Sequence, residues 1–208
     1  MREVQEGLWH WEARHPEWTP ESTEDWGPEV SSYAIDDGER LLLFDPLAAP
    51  SEIEELAASR ETAIVLTCPW HERDARSLVE RLGARVFVPP PEEHNDDVAW
   101  LRGDLERLKQ EGRIFSAGDR LPVGVEIFPG MSPHDLVLWV ESRRALVAGD
   151  TLIDRGNGLE LPADWLREGQ TRDQAVEALR PLLELPVELV LPTHGRPTDR
   201  AALERALS

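Results

Sequence analysis

Short apolar stretches separated by polar and turn-forming residues run along most of the chain, a pattern typical of strands and short helices. Trp9 and Trp11 alternate with His10, which predicts a strand. Two apolar stretches, 32–35 and 41–44, flank Asp36-Asp37-Gly38 and predict a β-hairpin. Further strands are predicted at 63–67, 85–88, 113–115, 123–128, 136–140, 145–148 and 187–191.

Helices are predicted where apolar residues recur at three- and four-residue spacing. Ser51 precedes Glu-Ile-Glu-Glu-Leu and is expected to cap a helix that extends to Ala58. The helix 72–82 falls between two predicted strands, which favours a parallel strand pair with a crossover helix. The remaining helices are predicted at 98–110, 174–185 and 199–207. A β-rich half with helices, followed by a second such half, suits two sheets packed face to face with helices outside.

The segment from Glu12 to Glu29 combines three prolines with Trp18 and Trp26. It predicts an irregular arm laid over the domain, with its tryptophans as anchors. A chain of 208 residues is long enough for one large domain with a substantial core. We therefore predict a single domain over residues 1–208, with residues 1–29 as the arm. A homodimer formed through that arm is an alternative role for its tryptophans.

The net charge of −19 and the pI near 4.6 limit which kinds of partner are expected. Binding to a nucleic acid or to an anionic membrane needs clustered Lys and Arg, so neither is expected. Cys68 is the only cysteine, which fits a reducing cytosol. The first residues lack the apolar core of a signal peptide, and no apolar run is long enough to span a bilayer. A soluble, cytoplasmic protein is expected.

Four short motifs follow one another along the chain: T-C-P-W-H-E-R at 67–73, P-G-M-S-P-H-D at 129–135, G-D at 149–150 and H-G at 194–195. In this order they resemble the metallo-β-lactamase superfamily, whose landmarks are T-H-x-H-x-D-H, P-G-H-T-P-G-H, G-D and a late H-G. The resemblance extends from about Val30 to about Pro197. It implies an α/β fold of the α+β type, a four-layer αββα sandwich of two mixed sheets. It also implies hydrolysis of an ester, thioester, amide or phosphoester by metal-activated water.

The resemblance places poor ligands at the first of the two family metals. Cys68 and Trp70 stand where the two early histidines belong, and Met131 stands where the third does. Indole nitrogen does not coordinate, and a thioether is a poor zinc ligand. Only Cys68 and Asp150 remain as donors, so the first metal is expected to be absent.

The second metal position retains better donors. Glu72 and Arg73 stand on the family's Asp-His pair, Asp150 matches the bridging aspartate, and His194 matches the last ligand. We expect the Arg73 guanidinium to pair with Asp150 or Glu72 in place of a metal, so that no cofactor is needed. The alternative is one divalent ion (Zn, Fe or Mn) on Glu72, Asp150 and His194. The protein would then be a single-metal hydrolase of esters, thioesters or lactones, similar to glyoxalase II or lactonase relatives.

Three residues are candidates for catalysis: Asp150, His71 and His134. Each histidine is offset from a family ligand, so a partly exposed loop histidine is the plain interpretation, and a general base in a rewired pocket is the alternative. Cys68 is interpreted as a small buried residue, with a nucleophile before a helix start as the alternative.

Trp70 is expected to fill vacated volume, or else to stack on a ligand. Asp45 resembles an early aspartate of the family that braces the loops. The resemblance implies a shallow pocket, open to a small-molecule ligand, formed by Cys68, Trp70, His71, Glu72, Arg73, Met131, His134, Asp150 and His194. The leading hypothesis is a pseudoenzyme, a metal-poor descendant of hydrolases that binds a small ligand or a partner.

Overall fold

Two mixed sheets form the framework of the computed structural model, which describes residues 1–21, 26–92 and 99–208. The first sheet contains, in spatial order, β1 (Arg2–Gln5), β2 (Leu8–Arg14), β3 (Glu29–Asp36), β4 (Arg40–Phe44), β5 (Glu61–Val65) and β6 (Arg85–Phe87). Strands β1 to β4 pair antiparallel, whereas β4, β5 and β6 are parallel. The predicted hairpin and the predicted parallel pair with its crossover helix are confirmed.

The second sheet has a similar mixed pattern. Its strands are β7 (Arg120–Leu121), β8 (Val125–Ser132), β9 (Asp135–Val140), β10 (Ala145–Gly149), β13 (Leu189–Pro192) and β14 (Thr198–Asp199). Only β10 and β13 are parallel. Two short strands, β11 (Ile153–Asp154) and β12 (Leu159–Glu160), form a separate ribbon between β10 and β13 along the chain.

Helices lie on the outer faces of both sheets, giving the expected layered sandwich. Their bounds are α1 (Ser51–Ala57), α2 (Ala75–Leu82), α3 (Ala99–Gln110), α4 (Arg172–Leu179) and α5 (Arg200–Ala206). The central core lies between the sheets, where Tyr33, Phe44 and Val65 share one buried cluster with Leu138 and Val147. Outer clusters pack α1, α2 and α3 on the first sheet, and α4 and α5 on the second. Within the described ranges, no helix has both the length and the apolar character needed to cross a bilayer.

Several predicted boundaries need correction. Ser51 is the first residue of its helix and not the cap, because Pro50 occupies that position. The helix expected from Glu72 begins at Ala75, since a 3₁₀ turn (Pro69–His71) precedes it and Arg73 has a left-handed φ of 43°. The predicted strand 113–115 is reduced to one bridge between Ile114 and Val88. The predicted start of α3 at Val98, and His94, lie outside the described residues.

The helix predicted over 174–185 begins earlier and ends earlier than expected. Thr171 caps α4 in a reciprocal capping box with Gln174, so the helix starts at Arg172. The helix changes to a 3₁₀ segment (Arg180–Glu184) at Pro181, whose ring cannot continue an α-helix. The irregular arm is also shorter than expected, because Glu12–Arg14 extends β2 and Glu29 begins β3.

The arm tryptophans contact the rest of the same chain. Trp11 is buried, and its Nε1 donates to the Leu47 carbonyl oxygen at 2.7 Å. Within the arm, Trp18 donates from Nε1 to the Trp26 carbonyl oxygen at 3.0 Å, and the Trp26 ring centroid lies 4.7 Å from that of His194. These contacts agree with an anchoring role, whereas a homodimer stays a prediction.

Main-chain hydrogen bonds join the two sheets at one edge of the sandwich. The Ser31 amide donates to the Thr193 carbonyl oxygen at 2.7 Å, and the Leu136 amide donates to the Thr67 carbonyl oxygen at 3.0 Å. The Tyr33 hydroxyl donates to the Pro192 carbonyl oxygen at 2.7 Å. The carboxyl ends of β4, β5, β10 and β13 are thereby held close together.

Candidate functional site

The carboxyl ends of four strands supply the polar centre of the molecule. Asp45 follows β4, Thr67 lies just after β5, Asp150 follows β10, and His194 lies just after β13. All four are buried, with at most 7 % of the residue exposed. Gly149 permits their close approach: its φ is +56°, and a Cβ there would lie 2.8 Å from the Thr67 side chain. The site therefore requires glycine at this position.

Asp45 organises the loop after β5. Its Oδ1 accepts the Thr67 amide at 2.9 Å, and its Oδ2 accepts the Thr67 hydroxyl at 2.6 Å. The Thr193 hydroxyl donates to the same Oδ2 at 3.4 Å, and His71 Nδ1 lies 3.3 Å from it. Burial opposes ionisation of Asp45, but His71 and the other donors hold its pKa below the ordinary value. The carboxylate thus braces the loops after β5 and β13, as expected.

His71 lies between two buried carboxylates. Its Nδ1 lies 3.2 Å from Thr67 Oγ1, whose own proton goes to Asp45, so this nitrogen must donate. Its Nε2 lies 3.2 Å from Asp150 Oδ2. An ionised carboxylate only accepts, so Nε2 also carries a proton. The geometry therefore fits an imidazolium ion bridging Asp45 and Asp150.

The electrostatics of the site agree with that protonation. Burial lowers the pKa of His71, but Asp150 and Asp45 outweigh it and raise the pKa to about 9. Burial likewise opposes the charge on Asp150, but His71 holds its pKa well below the ordinary value. The expectation of a partly exposed His71 is wrong, because only 5 % of the residue is exposed.

Asp150 has two further neighbours. Trp70 Nε1 donates to Oδ2 at 3.3 Å, so this oxygen faces two N–H donors. His194 Nε2 lies 3.4 Å from Oδ1. Burial lowers the pKa of His194 to about 4, even though Asp150 acts in the opposite direction. His194 is therefore neutral at pH 7, and its buried Nδ1 has no hydrogen-bond partner among the described residues.

Asp135 and Cys68 lie fully buried near the same centre. Burial and then the charge of Asp150 raise the pKa of Asp135 well above its ordinary value, so this carboxyl is neutral. Its Oδ2 accepts the Thr151 hydroxyl at 2.8 Å. Burial, and next Asp150, also raise the pKa of the Cys68 thiol. The thiol is thus a protonated core group, which favours the small buried residue over the nucleophile.

We expect Cys68 to be unreactive toward iodoacetamide in the native protein at pH 8, because the reacting species is the thiolate and none of the residue is exposed. Mass spectrometry of native and urea-unfolded samples checks this. Full labelling is expected only after unfolding. Rapid labelling of the folded protein would restore the nucleophile hypothesis.

Arg73 lies at the site but does not pair with either carboxylate proposed for it. Its Nη1 donates to the carbonyl oxygens of Asp45 at 2.7 Å and Ser31 at 3.2 Å. The left-handed backbone at Arg73 turns the chain before α2, and the guanidinium reaches main-chain oxygens near β3 and β4. The cation beside Asp150 is His71 instead, so the expected Arg73 pair with Asp150 or Glu72 is wrong.

A cleft of about 700 Å³ opens beside this centre. Seven residues of the predicted pocket line it: Trp70, His71, Glu72, Arg73, Met131, Asp150 and His194. Cys68 lies behind the wall and is not exposed to the cleft. His134 also does not line it, because its Nδ1 donates to the Pro90 carbonyl oxygen at 2.6 Å. That contact leaves His134 without a position for acid–base catalysis in the cleft.

The sequence did not identify the residues that complete the walls. The arm contributes His15, Glu17 and Trp26, and later loops contribute Trp165 and Arg167. Trp26 and Trp165 flank His194, with ring centroids 4.7 Å and 5.7 Å from the imidazole. The prolines and tryptophans of the arm predicted that it packs on the domain, but not that it lines a binding cleft. No motif in the sequence around Trp165 identifies it as a cleft residue.

The donors for a metal differ from the predicted set. Among the described residues, the one group of His, Cys, Asp and Glu side chains with suitable spacing is Cys68, His71 and Asp150, with ligand atoms within 4.8 Å of one another. Glu72 belongs to no such group, so the predicted set of Glu72, Asp150 and His194 is not brought together. Trp70 and Met131, which the resemblance sets at two histidine positions of the first metal, are not part of this group. A thiolate, an imidazole and a carboxylate do suit one zinc ion.

Comparison with known proteins places the fold. The sequence model of the metallo-beta-lactamase superfamily matches residues 71–194, more than half of the chain. That range starts at His71 and ends at His194, so it includes both histidines beside Asp150. A search of curated proteins found no match.

Solved structures with the same fold include relatives of differing similarity. The di-iron-bound form of TTHA1623 is 25% identical, with a TM-score of 0.59, and the match covers 86% of this chain and 95% of that one. The metallo-beta-lactamase family protein TTHA1429 from Thermus thermophilus is 20% identical, with a TM-score of 0.61, over 98% and 78% of the two chains. DIM-1 metallo-beta-lactamase is 15% identical, with a TM-score of 0.60, over 99% and 93%. The last two show the shared fold alone.

Proposed function

Since the chain belongs to the metallo-β-lactamase superfamily, we propose that it is a member that binds a small organic ligand in the cleft without a metal. In this proposal His71 supplies the positive charge at the centre, and the dinuclear hydrolysis of the superfamily is lost. The protein is then a pseudoenzyme with a remodelled pocket.

The position of His71 carries the proposal. Its two ring nitrogens lie 3.3 Å from Asp45 Oδ2 and 3.2 Å from Asp150 Oδ2. Two buried carboxylates without a cation would force one of them to take up a proton. An imidazolium between them offsets one of the two negative charges and favours the ionised form of both carboxyls, as a metal ion would. Trp70 supports the same proposal, because its N–H donates to Asp150 Oδ2, the oxygen that also faces His71.

The cleft itself suits a ligand of moderate size. A volume of about 700 Å³ lies within the range of small-molecule sites, roughly 300–1,000 Å³. Its walls combine indole rings with a few polar groups, as such sites commonly do. The neutral His194 imidazole, between Trp26 and Trp165, offers a hydrogen-bonding group at the inner end.

One observation favours a second candidate, a single-metal hydrolase. Cys68, His71 and Asp150 would hold the ion, and His71 Nδ1 already faces Asp45, as histidine ligands do when a carboxylate orients them. A bound ion would supply an activated water for hydrolysis of an ester, thioester or lactone. The relative TTHA1623 has been seen with two irons. In this chain Cys68 and His71 would have to lose protons before binding.

Metal analysis of protein purified without chelator separates the two candidates. We expect zinc, iron and manganese well below one ion per chain, and ligand-observed NMR with a fragment library is expected to show binding in the cleft in the presence of EDTA. Stoichiometric metal that disappears in Cys68→Ser but persists in His134→Ala would overturn the proposal. Hydrolysis of ester or thioester substrates by that metal-bearing protein would establish the hydrolase.

A further inference from the structure

Three indole side chains line the cleft: Trp26, Trp70 and Trp165. Each is half-buried, so part of each side chain remains accessible to a ligand. The negative face of an indole attracts organic cations, and tryptophan is the best aromatic partner for them. Arg155 already illustrates this preference, because its guanidinium lies 5.1 Å from the Trp165 ring centroid.

Two carboxylates on the cleft wall form no ion pair with the residues that the structure describes. Neither Glu17 nor Glu72 makes a side-chain hydrogen bond or an ion pair within the described part of the chain, although both line the cleft. Glu72 is partly buried, so its carboxylate is partly removed from water. A partly desolvated carboxylate of this kind gains from a ligand cation.

The other charged groups of the cleft already have partners inside the protein. Glu92 pairs with Arg167, and Asp150 faces His71. Asp74 accepts the Ala48 amide, and Arg73 donates to two main-chain carbonyl oxygens, which hold its guanidinium but leave its positive charge in place. Among the described lining residues, the carboxylates without an ion pair (Glu17, Glu72 and Asp74) outnumber this one guanidinium, so the wall keeps a net negative charge. The overall charge of −19 adds a field that concentrates cations near the molecule.

We propose that the ligand of this cleft is an organic cation, an alkylated ammonium group held against the indoles and opposite Glu17 and Glu72. The inference rests on the proposed metal-independent binding and names its ligand class. An anionic ligand would meet two unpaired carboxylates, and a neutral ligand would gain nothing from them. A quaternary ammonium fits best, since it presents charge without requiring hydrogen-bond acceptors.

Calorimetry with three probes of matched shape tests the inference. Choline, its neutral isostere 3,3-dimethylbutan-1-ol and the anion 3,3-dimethylbutanoate are titrated into metal-stripped protein at low salt. Choline is expected to bind at least about tenfold more tightly than the neutral isostere, and the anion least. Equal affinity for choline and the alcohol would overturn the cation inference while leaving metal-independent binding intact. Absence of choline binding at millimolar concentration would also overturn it.

Variants locate the site. Glu72→Gln is expected to weaken choline binding about three- to tenfold and to leave the affinity for the alcohol unchanged. Glu80→Gln is the control, because it makes the same charge change on α2 outside the cleft. It is expected to leave the affinity for choline unchanged. Trp70→Phe is expected to retain most of the affinity and Trp70→Leu to lose it. An unchanged affinity in Glu72→Gln or in Trp70→Leu would contradict the assignment. Binding of any probe only after zinc is added would instead contradict the proposed metal-independent function.

Discussion

His71→Ala is expected to lower the free energy of unfolding by about 3–5 kcal/mol at pH 7, because it leaves buried charges without their counterion. The Asp45 and Asp150 carboxylates would repel each other with no cation between them. Denaturant unfolding followed by circular dichroism measures the change. His134→Ala is the matched control, since it removes a hydrogen bond to Pro90, worth roughly 1 kcal/mol, and a 3.9 Å approach to Glu92 but no buried counterion.

The same variant should change the pH dependence of stability. The pKa of His71 is raised from 6.5 to about 9, so its contribution is complete below pH 6.5 and is lost as the pH rises to about 9. The shift corresponds to roughly 3 kcal/mol across that window. The native protein is expected to lose this stability between pH 6.5 and 9, whereas His71→Ala is not. Identical slopes for the two proteins would show that His71 is neutral in the folded state.

Asp45→Ala is expected to cost a similar amount, about 3–5 kcal/mol at pH 7. The substitution removes the acceptor for the Thr67 amide and hydroxyl and leaves the His71 cation with only Asp150. Asp45→Asn keeps one side-chain oxygen for the amide and should recover part of the loss. Equilibrium unfolding in urea provides the measurement.

Combining His71→Ala with Asp45→Ala tests whether the two side chains interact. If Asp45 and His71 form one charge pair, the double variant should be more stable than the sum of the single losses implies, by about 0.5–3 kcal/mol. Strict additivity would mean that the 3.3 Å approach between Asp45 and His71 carries no interaction energy. In that case Asp45 would act only through Thr67.

The sandwich could be predicted because its elements carry local signals. The hairpin around Asp36-Asp37-Gly38 and the crossover through α2 have turn and helix patterns that do not depend on distant residues. Edge elements escaped prediction for the opposite reason. Strand β1 (Arg2–Gln5) consists mainly of polar residues and is held by pairing with β2, and β14 has two residues whose pairing with β13 defines it.

The site could be predicted only where the chain keeps the family spacing. Asp150 and His194 follow strand ends in the expected order, and the structure brings them within 3.4 Å. His71 could not be placed, because the 3₁₀ turn at Pro69–His71 turns its ring inward, and sequence spacing alone does not reveal such a turn. Burial of His71 follows from that local geometry and from Asp45, which belongs to the preceding strand–loop connection.

Arg73 shows the limit of charge pairing inferred from sequence. A guanidinium near two carboxylates is expected to pair with them, but main-chain carbonyl oxygens compete. The turn before α2 is tied to the segment after β4, where the Asp74 carboxylate accepts the Ala48 amide at 2.6 Å. This places Arg73 over the Asp45 and Ser31 carbonyl oxygens. Such tertiary contacts leave no trace in the sequence.

The protonation state of His71 tests the central claim most directly. A two-bond proton–nitrogen NMR spectrum of the ring, recorded at pH 7 before and after equimolar zinc, reports both nitrogens. Protonated Nδ1 and Nε2, unchanged by zinc, are the result expected for an imidazolium between Asp45 and Asp150. An unprotonated Nε2 at pH 7, or one that shifts when zinc is added, would contradict the account and favour a metal on Cys68, His71 and Asp150.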